Sequence, residues 1–338
     1  MELFTTNRRM FLAGLAGVAA GSALPFSWSR AHAAQLSVGM LLPGRINDGG
    51  FMEAGYQGLQ RIEKELGARV TYIDQIEPKP DLLKDALRRL ASGKPDLVIA
   101  HGGQNSEAVK VVAQEFPTVQ FAVVQGNVTG PNIASYEVLQ EHSAWLGGAL
   151  AGLMTKTGVV GHISGIRVPP GLKGRAAYAH GVKHTNPKAK LLTIFCGNQD
   201  DNELSHRVAT AEIEAGADII FTMLNAGRTG AIEACRQKGA LQIGNVRDWI
   251  PDAPDVFIAS AVANVSVPGF QAAQDFASNR FSGGRTLHIG LENPQAVTLT
   301  MASRVPPEVR ATIESLAKDI VAGKIKVPTE WQGEEFTI

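Results

Sequence analysis

Asp96-Leu97-Val98-Ile99-Ala100 is a short apolar run that opens into a polar, glycine-bearing loop, His101-Gly102-Gly103-Gln104-Asn105. The same order returns in the second half of the chain, where Asp218-Ile219-Ile220-Phe221-Thr222 leads into Asn225-Ala226-Gly227-Arg228. Apolar runs of this length, closed by turn residues, read as buried strands. Their repetition in matching surroundings implies a chain made of two halves built alike.

Working outward from the first run, Leu36 to Leu42 is another strand-length apolar stretch, followed by a polar loop from Gly44 to Gly50. Met52, Tyr56, Leu59, Ile62 and Leu66 then fall at spacings of three and four, one face of a helix that Gly67 stops. Val70-Thr71-Tyr72-Ile73 reads as a strand, Asp81 to Ala91 as a helix, and a further helix running through Phe116 precedes the strand Gln120 to Val124. The second half answers in order. It has a strand at Val159 to Ser164, a Gly/Pro loop, a helix over Arg175 to His184, a strand at Leu191 to Phe195 and a helix from about Leu204 to Ala215. After the repeated run comes Leu241-Gln242-Ile243-Gly244, which matches Phe121 to Val124. Strands alternating with helices imply parallel sheet in right-handed crossover units, so the fold class is α/β with two doubly wound lobes.

The N-terminus reads as an address rather than as structure. Arg8-Arg9-Met10-Phe11-Leu12 precedes an uncharged run from Ala13 to Leu24, and Ala31-His32-Ala33 suits signal-peptidase cleavage after Ala33. The arginine pair resembles a twin-arginine (Tat) export signal over 1–33, and no cysteine near the cleavage point offers a lipid anchor. Cleavage would remove Arg8, Arg9, Arg30 and Glu2 from a chain with 32 basic and 32 acidic residues, leaving it close to neutral. That balance gives no support to nucleic-acid or anionic-membrane binding. A composition 44% hydrophobic and 6% aromatic, with 36 glycines, suits a glycine-rich α/β protein. Cys196 and Cys235 follow no metal-ligand spacing, and buried thiols are the favoured reading over a disulfide.

In parallel sheets, ligands bind beyond the carboxyl ends of the strands, where loops and helix N-termini gather. The residues there form a chemically coherent set: Asn47, Asp48, Phe51, Gln104 and Gln125 in the first half, and Asn198, Asn225, Arg228, Asn245, Asp248 and Trp249 in the second. Amides offer both donors and acceptors, and two rings offer stacking faces, as a small polar aromatic ligand requires. Each also has a structural alternative. Asn47-Asp48-Gly49-Gly50 suits a tight turn and helix cap, Phe51 a core position, Gln125 the end of a strand, and Trp249 a place under its loop. His101 reads as structural. Catalytic signatures are missing: there is no G-x-S-x-G, H-E-x-x-H or C-x-x-C. Gly39 to Gly44 has phosphate-loop spacing, but Arg45-Ile46 follows in place of Lys-Ser/Thr. The reading is therefore a binding protein without a metal or cofactor.

Several stretches resemble the basic membrane protein (BMP) family of ABC-transporter substrate-binding proteins. They are Val38 to Leu41, Asn47 to Phe51, Ala54-Gly55-Tyr56-Gln57-Gly58-Leu59, Ala113 to Pro117 with Phe121 to Val124, Leu146 to Met154 with Lys156-Thr157-Gly158, Gly216 to Phe221, and Gln242-Ile243-Gly244. The resemblance implies a type I periplasmic-binding fold whose lobes are joined by a three-strand hinge, with 34–133 plus 264–292 in the first lobe and 134–263 plus 293–338 in the second. It implies a periplasmic monomer that presents its ligand to an inner-membrane permease, and ligands that are commonly purine nucleosides held between rings with acids on the ribose. This chain departs at those acids. Asn47 replaces one of a pair, Gln125 stands where an Asp often ends the strand, and Gly244-Asn245-Val246-Arg247-Asp248-Trp249 keeps one of two acids. The expected ligand is accordingly a purine nucleobase or related heteroaromatic compound. The alternatives are a nucleoside despite the missing acids, or a sensory role with a membrane receptor.

Overall fold

The computed structural model describes residues 35–338, so the leader expected over 1–33 lies outside the described residues. The first half runs β1 (Ser37–Leu42), α1 (Phe51–Leu66), β2 (Arg69–Asp74), α2 (Pro80–Ser92), β3 (Leu97–His101), α3 (Ser106–Glu115), β4 (Gln120–Val124) and β5 (Ile133–Val138). The second runs α4 (Gln140–Met154), β6 (Val159–Ser164), α5 (Pro169–Thr185), β7 (Lys190–Phe195), α6 (Asn202–Glu214), β8 (Ile219–Met223), α7 (Arg228–Lys238), β9 (Leu241–Val246) and β10 (Phe257–Ala263). The chain then adds α8 (Ser266–Ala277) and β11 (Thr286–Ile289) to the first lobe and β12 (Val297–Met301) and α9 (Pro307–Val321) to the second.

Two six-stranded sheets result, ordered β2-β1-β3-β4-β5-β11 and β7-β6-β8-β9-β10-β12. The first is parallel throughout, as the alternating pattern predicts. The second has one exception: β12 lies antiparallel to β10, with Ala263 opposite Val297. The reason is the crossing. β10 carries the chain out of the second lobe, α8 and β11 are built in the first, and β12 carries it back in beside β10, so the outgoing and returning segments run in opposite directions.

The chain passes between sheets three times, after β5, β10 and β11. The first passage differs from the expected boundary at 133/134. β5 begins at Ile133 and pairs with β4, which keeps the first lobe's chain intact through Val138. Gln125 holds this passage together. Its side-chain amide donates to the Val138 carbonyl at 3.1 Å and accepts from the Val138 N–H.

Helix α4 is apolar nearly all round because it is enclosed by α5, α9 and the second sheet. Its contact with α5 depends on two glycines. A Cβ on Gly148 would lie 2.1 Å from the Tyr178 carbonyl oxygen, and one on Gly181 2.0 Å from that of Trp145. Helix α5 starts earlier than the sequence pattern suggests, because Pro169 and Pro170 supply a preset φ at positions that need no N–H donor. The C-terminal tail then straps this lobe. Glu335 pairs with both Arg167 and Arg175, Trp331 lies against the Arg175 guanidinium, and the Phe336 N–H donates to the Thr193 carbonyl.

Both cysteines are free thiols. Cys235 is buried beside Gln242, as expected, whereas Cys196 is only half-buried. Among the described residues no helix is long and apolar enough to cross a membrane.

Candidate ligand site between the lobes

Strand order reverses at β1/β3 in one sheet and at β6/β8 in the other, and the loops leaving these strands face one another. They enclose a cavity of about 450 Å³. The first lobe contributes Pro43, Arg45, Asp48, Phe51, Met52 and Gln104, and the second contributes Ser164, Ile166, Val168, Pro169 and Pro170 with Met223, Asn225 and Asn245. Gln140, where the chain first changes lobes, completes the wall.

Asp48 organises the first lobe's edge. One carboxylate oxygen accepts from the N–H groups of Gly50 (2.8 Å) and Glu53 (3.1 Å), and the other accepts from Met52 N–H (3.1 Å). These are the orphan donors of the first turn of α1, so Asp48 caps that helix from three residues upstream of its start. Its second oxygen also accepts from Asn225 Nδ2 of the opposite lobe at 3.1 Å. Burial raises the Asp48 carboxyl above its ordinary pKa, against the lowering effect of the three backbone donors. Every lone-pair direction of this acid is thus taken, and the fourth bond latches the lobes. Gly50 makes the latch possible, since a Cβ there would sit 2.5 Å from Asn225 Oδ1.

Phe51 presents its ring to the cavity and rests on His101, with ring centroids 4.5 Å apart. The His101 imidazole donates from Nε2 to the Phe51 carbonyl at 2.9 Å. It is fully buried, and desolvation lowers its pKa to about 4, so it is a neutral prop at physiological pH.

In the second lobe, Arg228 is almost completely buried, and its guanidinium reaches back to the ends of the strands. It donates to the Thr222 carbonyl (2.9 Å) and hydroxyl (2.7 Å), to the Leu224 carbonyl, and to Asn245 Oδ1 (2.6 Å). Among the described residues no carboxylate pairs with it. Burial lowers its pKa to about 9, and the nearby Arg247 adds to that. Trp249 lies between these two guanidiniums, 4.3 Å from Arg228 and 3.5 Å from Arg247, and its indole N–H donates to the Asn245 carbonyl. Val246 follows with φ at 70°, unusual for a β-branched residue, in a tight turn closed by Arg247 N–H to Asn245 O.

With this geometry in hand, the family match is decisive: the model of PnrA-like ABC transporter substrate-binding proteins, Bmp, matches residues 35–330. The chain belongs to the Bmp family. Basic membrane protein A of Borreliella burgdorferi is 25% identical over 305 residues, 88% of this chain and 89% of that one. A purine-binding protein of Brucella abortus is 27% identical over 256 residues, covering 75% and 70% respectively. Among solved structures, an ABC transporter solute-binding protein from Aeropyrum pernix superposes with a TM-score of 0.77 at 20% identity, covering 88% of this chain and 94% of that one. This likeness shows the shared two-lobe fold.

Within this Bmp-family frame the eleven expected residues separate by what their side chains touch. Asp48, Phe51, Gln104, Asn225 and Asn245 line the cavity. Asn47 is exposed beside it, and Asn198 accepts from the Asp200 N–H away from the lining. Gln125 is committed to Val138, and Arg228 and Trp249 lie behind the wall. Asp248 faces a separate hollow of about 310 Å³ that Glu53 and Gln57 of α1 also line, and it accepts from the Thr300 hydroxyl at 2.9 Å. Sequence reasoning missed Gln140, Ser164, Met223 and the Ile166–Pro170 lip. The lip follows β6, the strand equivalent to β1, so topology alone marks its place.

Proposed function

We propose that this Bmp-family chain is the periplasmic substrate-binding component of an ABC importer, exported by the twin-arginine route. It captures a small polar heteroaromatic solute, a purine nucleobase or related compound, between its lobes. It acts as a monomer without cofactor or chemical step and presents the closed form to an inner-membrane permease. The observation that carries the ligand class is the fate of Asp48: its four hydrogen bonds go to the protein. Gln125 and Val246 stand where family acids would be. A ribose then finds no free carboxylate inside the cavity and only the exposed Asp200 at its rim, while a flat ring still has Phe51, Met52 and Met223 to lie against. The purine-binding relative from Brucella supports the same class.

Closure around the ligand follows from differential affinity for the state in which Asp48 meets Asn225. Isothermal titration of the mature protein with free nucleobases and their nucleosides tests this reading. Nucleobases are expected to bind at least as tightly as nucleosides; a clear preference for the nucleosides overturns the choice of ligand, and turnover detected by chromatography overturns the binding-only role.

A further inference from the structure

The polarity of the cavity wall is set from behind it. A guanidinium has only donors, so the bond from Arg228 to Asn245 obliges Oδ1 of Asn245 to face the arginine and turns Nδ2 away from it. Asn245 is buried, lines the cavity, and its Nδ2 has no partner among the described residues. Gln140 repeats the pattern from the opposite wall: its side chain is 8% exposed, it lines the same cavity, and its Nε2 is buried without a partner. An unpaired buried donor is costly, and such a group in a binding wall marks a place where the ligand supplies the acceptor.

The acids do not balance these donors. Asp48 is saturated by four protein donors, and Asp200, at the exposed rim, accepts from the Ala226 N–H at 3.2 Å. Nor is the Arg228 charge matched by a carboxylate among the described residues; carbonyls, a hydroxyl and one amide satisfy it. At Asn245 the wall therefore carries a donor outward and a buried positive charge one side chain behind it, in surroundings of low dielectric where that charge is weakly screened, while across the cleft Asn225, its Nδ2 spent on Asp48, offers an acceptor.

We propose that the ligand is an oxygen-rich, acceptor-bearing heterocycle that binds as its anion, with ring carbonyls or deprotonated ring nitrogens against Asn245 Nδ2 and Gln140 Nε2. This rests on the heteroaromatic reading above and narrows it: an exocyclic amino group placed at Asn245 would meet a donor, so diketo and triketo rings are favoured over amino-substituted ones. Arg228 acts as a positioning residue. It fixes the asparagine and supplies the field, and it does not touch the ligand.

The test uses the mature chain and four probes: urate and xanthine as acceptor-rich rings, adenine and adenosine as amino-substituted ones. Urate and xanthine are expected to bind at least about tenfold more tightly than adenine, the worth of one well-placed charge-assisted hydrogen bond. Their affinity should rise with pH as the ring deprotonates, with no such rise for adenine. Asn245→Asp places a carboxylate against Arg228, cancels the charge and removes the outward donor, so the preference should fall about tenfold or invert. Gln140→Glu, at a position outside the arginine network, should lower urate affinity in the same direction. An adenine affinity equal to or above that of xanthine overturns the proposal, as does an Asn245→Asp protein that folds and keeps the original ratio. If none of the four binds, the heteroaromatic reading fails on its own. Native mass spectrometry of the co-purifying solute then decides the charge: an anion retains the donor-wall inference, and a cation or a polyamine overturns it.

Discussion

Asn105 and Arg228 occupy matching places in the two lobes, each at the turn that carries the repeated strand into its helix. Asn105 donates to the carbonyls of His101 and Gly102 at 3.0 Å, and Arg228 donates to those of Thr222 and Leu224. Both tie down the end of a strand, one with a neutral amide and the other with a cation. The next strand gives the same contrast. Gln125 spends both ends of its amide on Val138, whereas Asn245 spends only its oxygen on Arg228. One lobe is closed on itself, and the other keeps a donor and a charge in reserve. Equivalent architecture has been given a neutral, structural half and a charged half turned towards the ligand.

The largest effect expected from breaking this comparison is on stability. Arg228→Met leaves two strand-end carbonyls and the Asn245 oxygen without donors and should cost on the order of 3 kcal/mol in chemical denaturation, against about 1–2 kcal/mol for Asn105→Ala. Equal losses would mean that the charge adds nothing.

The buried imidazoles sharpen the comparison under acid. His101 in the first lobe and His162 in the second are held neutral by burial, at about 4 and about 3, while an unfolded histidine titrates near 6.5. Below 6.5 the unfolded chain binds more protons, so both residues lower stability as pH falls from about 6.5, and each loss levels off below its folded value. His101→Asn should flatten the pH profile of unfolding free energy in chemical denaturation, by up to about 3 kcal/mol between pH 6.5 and 4. His162→Asn should extend the flattening to about pH 3.

Next is the latch. Asp48→Asn cannot accept all four donors, and it should weaken ligand binding about tenfold and lower stability by about 1 kcal/mol, both measurable by titration and thermal melting. The smallest effect belongs to Gly50→Ala. The new methyl meets Asn225 only when the lobes close, so affinity should fall several-fold, a larger effect than any change in melting of the unliganded protein. A comparable fall in both would place the clash in the open form as well.

The alternating framework up to β9 was legible because amphipathic helices and short apolar strands carry distinct periods. Helix α4 and strands β5, β10, β11 and β12 were not assigned as elements from the sequence, for identifiable reasons. Gln140 to Met154 is buried on nearly all sides, which erases the helical period, and the other four adjoin the lobe crossings, outside the alternating repeat. The place of the site was legible from topology, and Asp48, Phe51 and Asn225 from residue type. Side-chain direction was not. Nothing in the sequence distinguishes a glutamine that faces a cavity from Gln125, which faces its own backbone. The Ile166–Pro170 lip escaped notice because its apolar residues and prolines look like an ordinary connection.

The tail that straps the second lobe has a practical consequence. Glu335 grips Arg167, inside that lip. A dye carried on the tail beside Glu335 is therefore mechanically joined to one wall of the cavity. It offers a built-in optical readout of occupancy, and for the same reason a bulky fusion there disturbs the quantity it is meant to report.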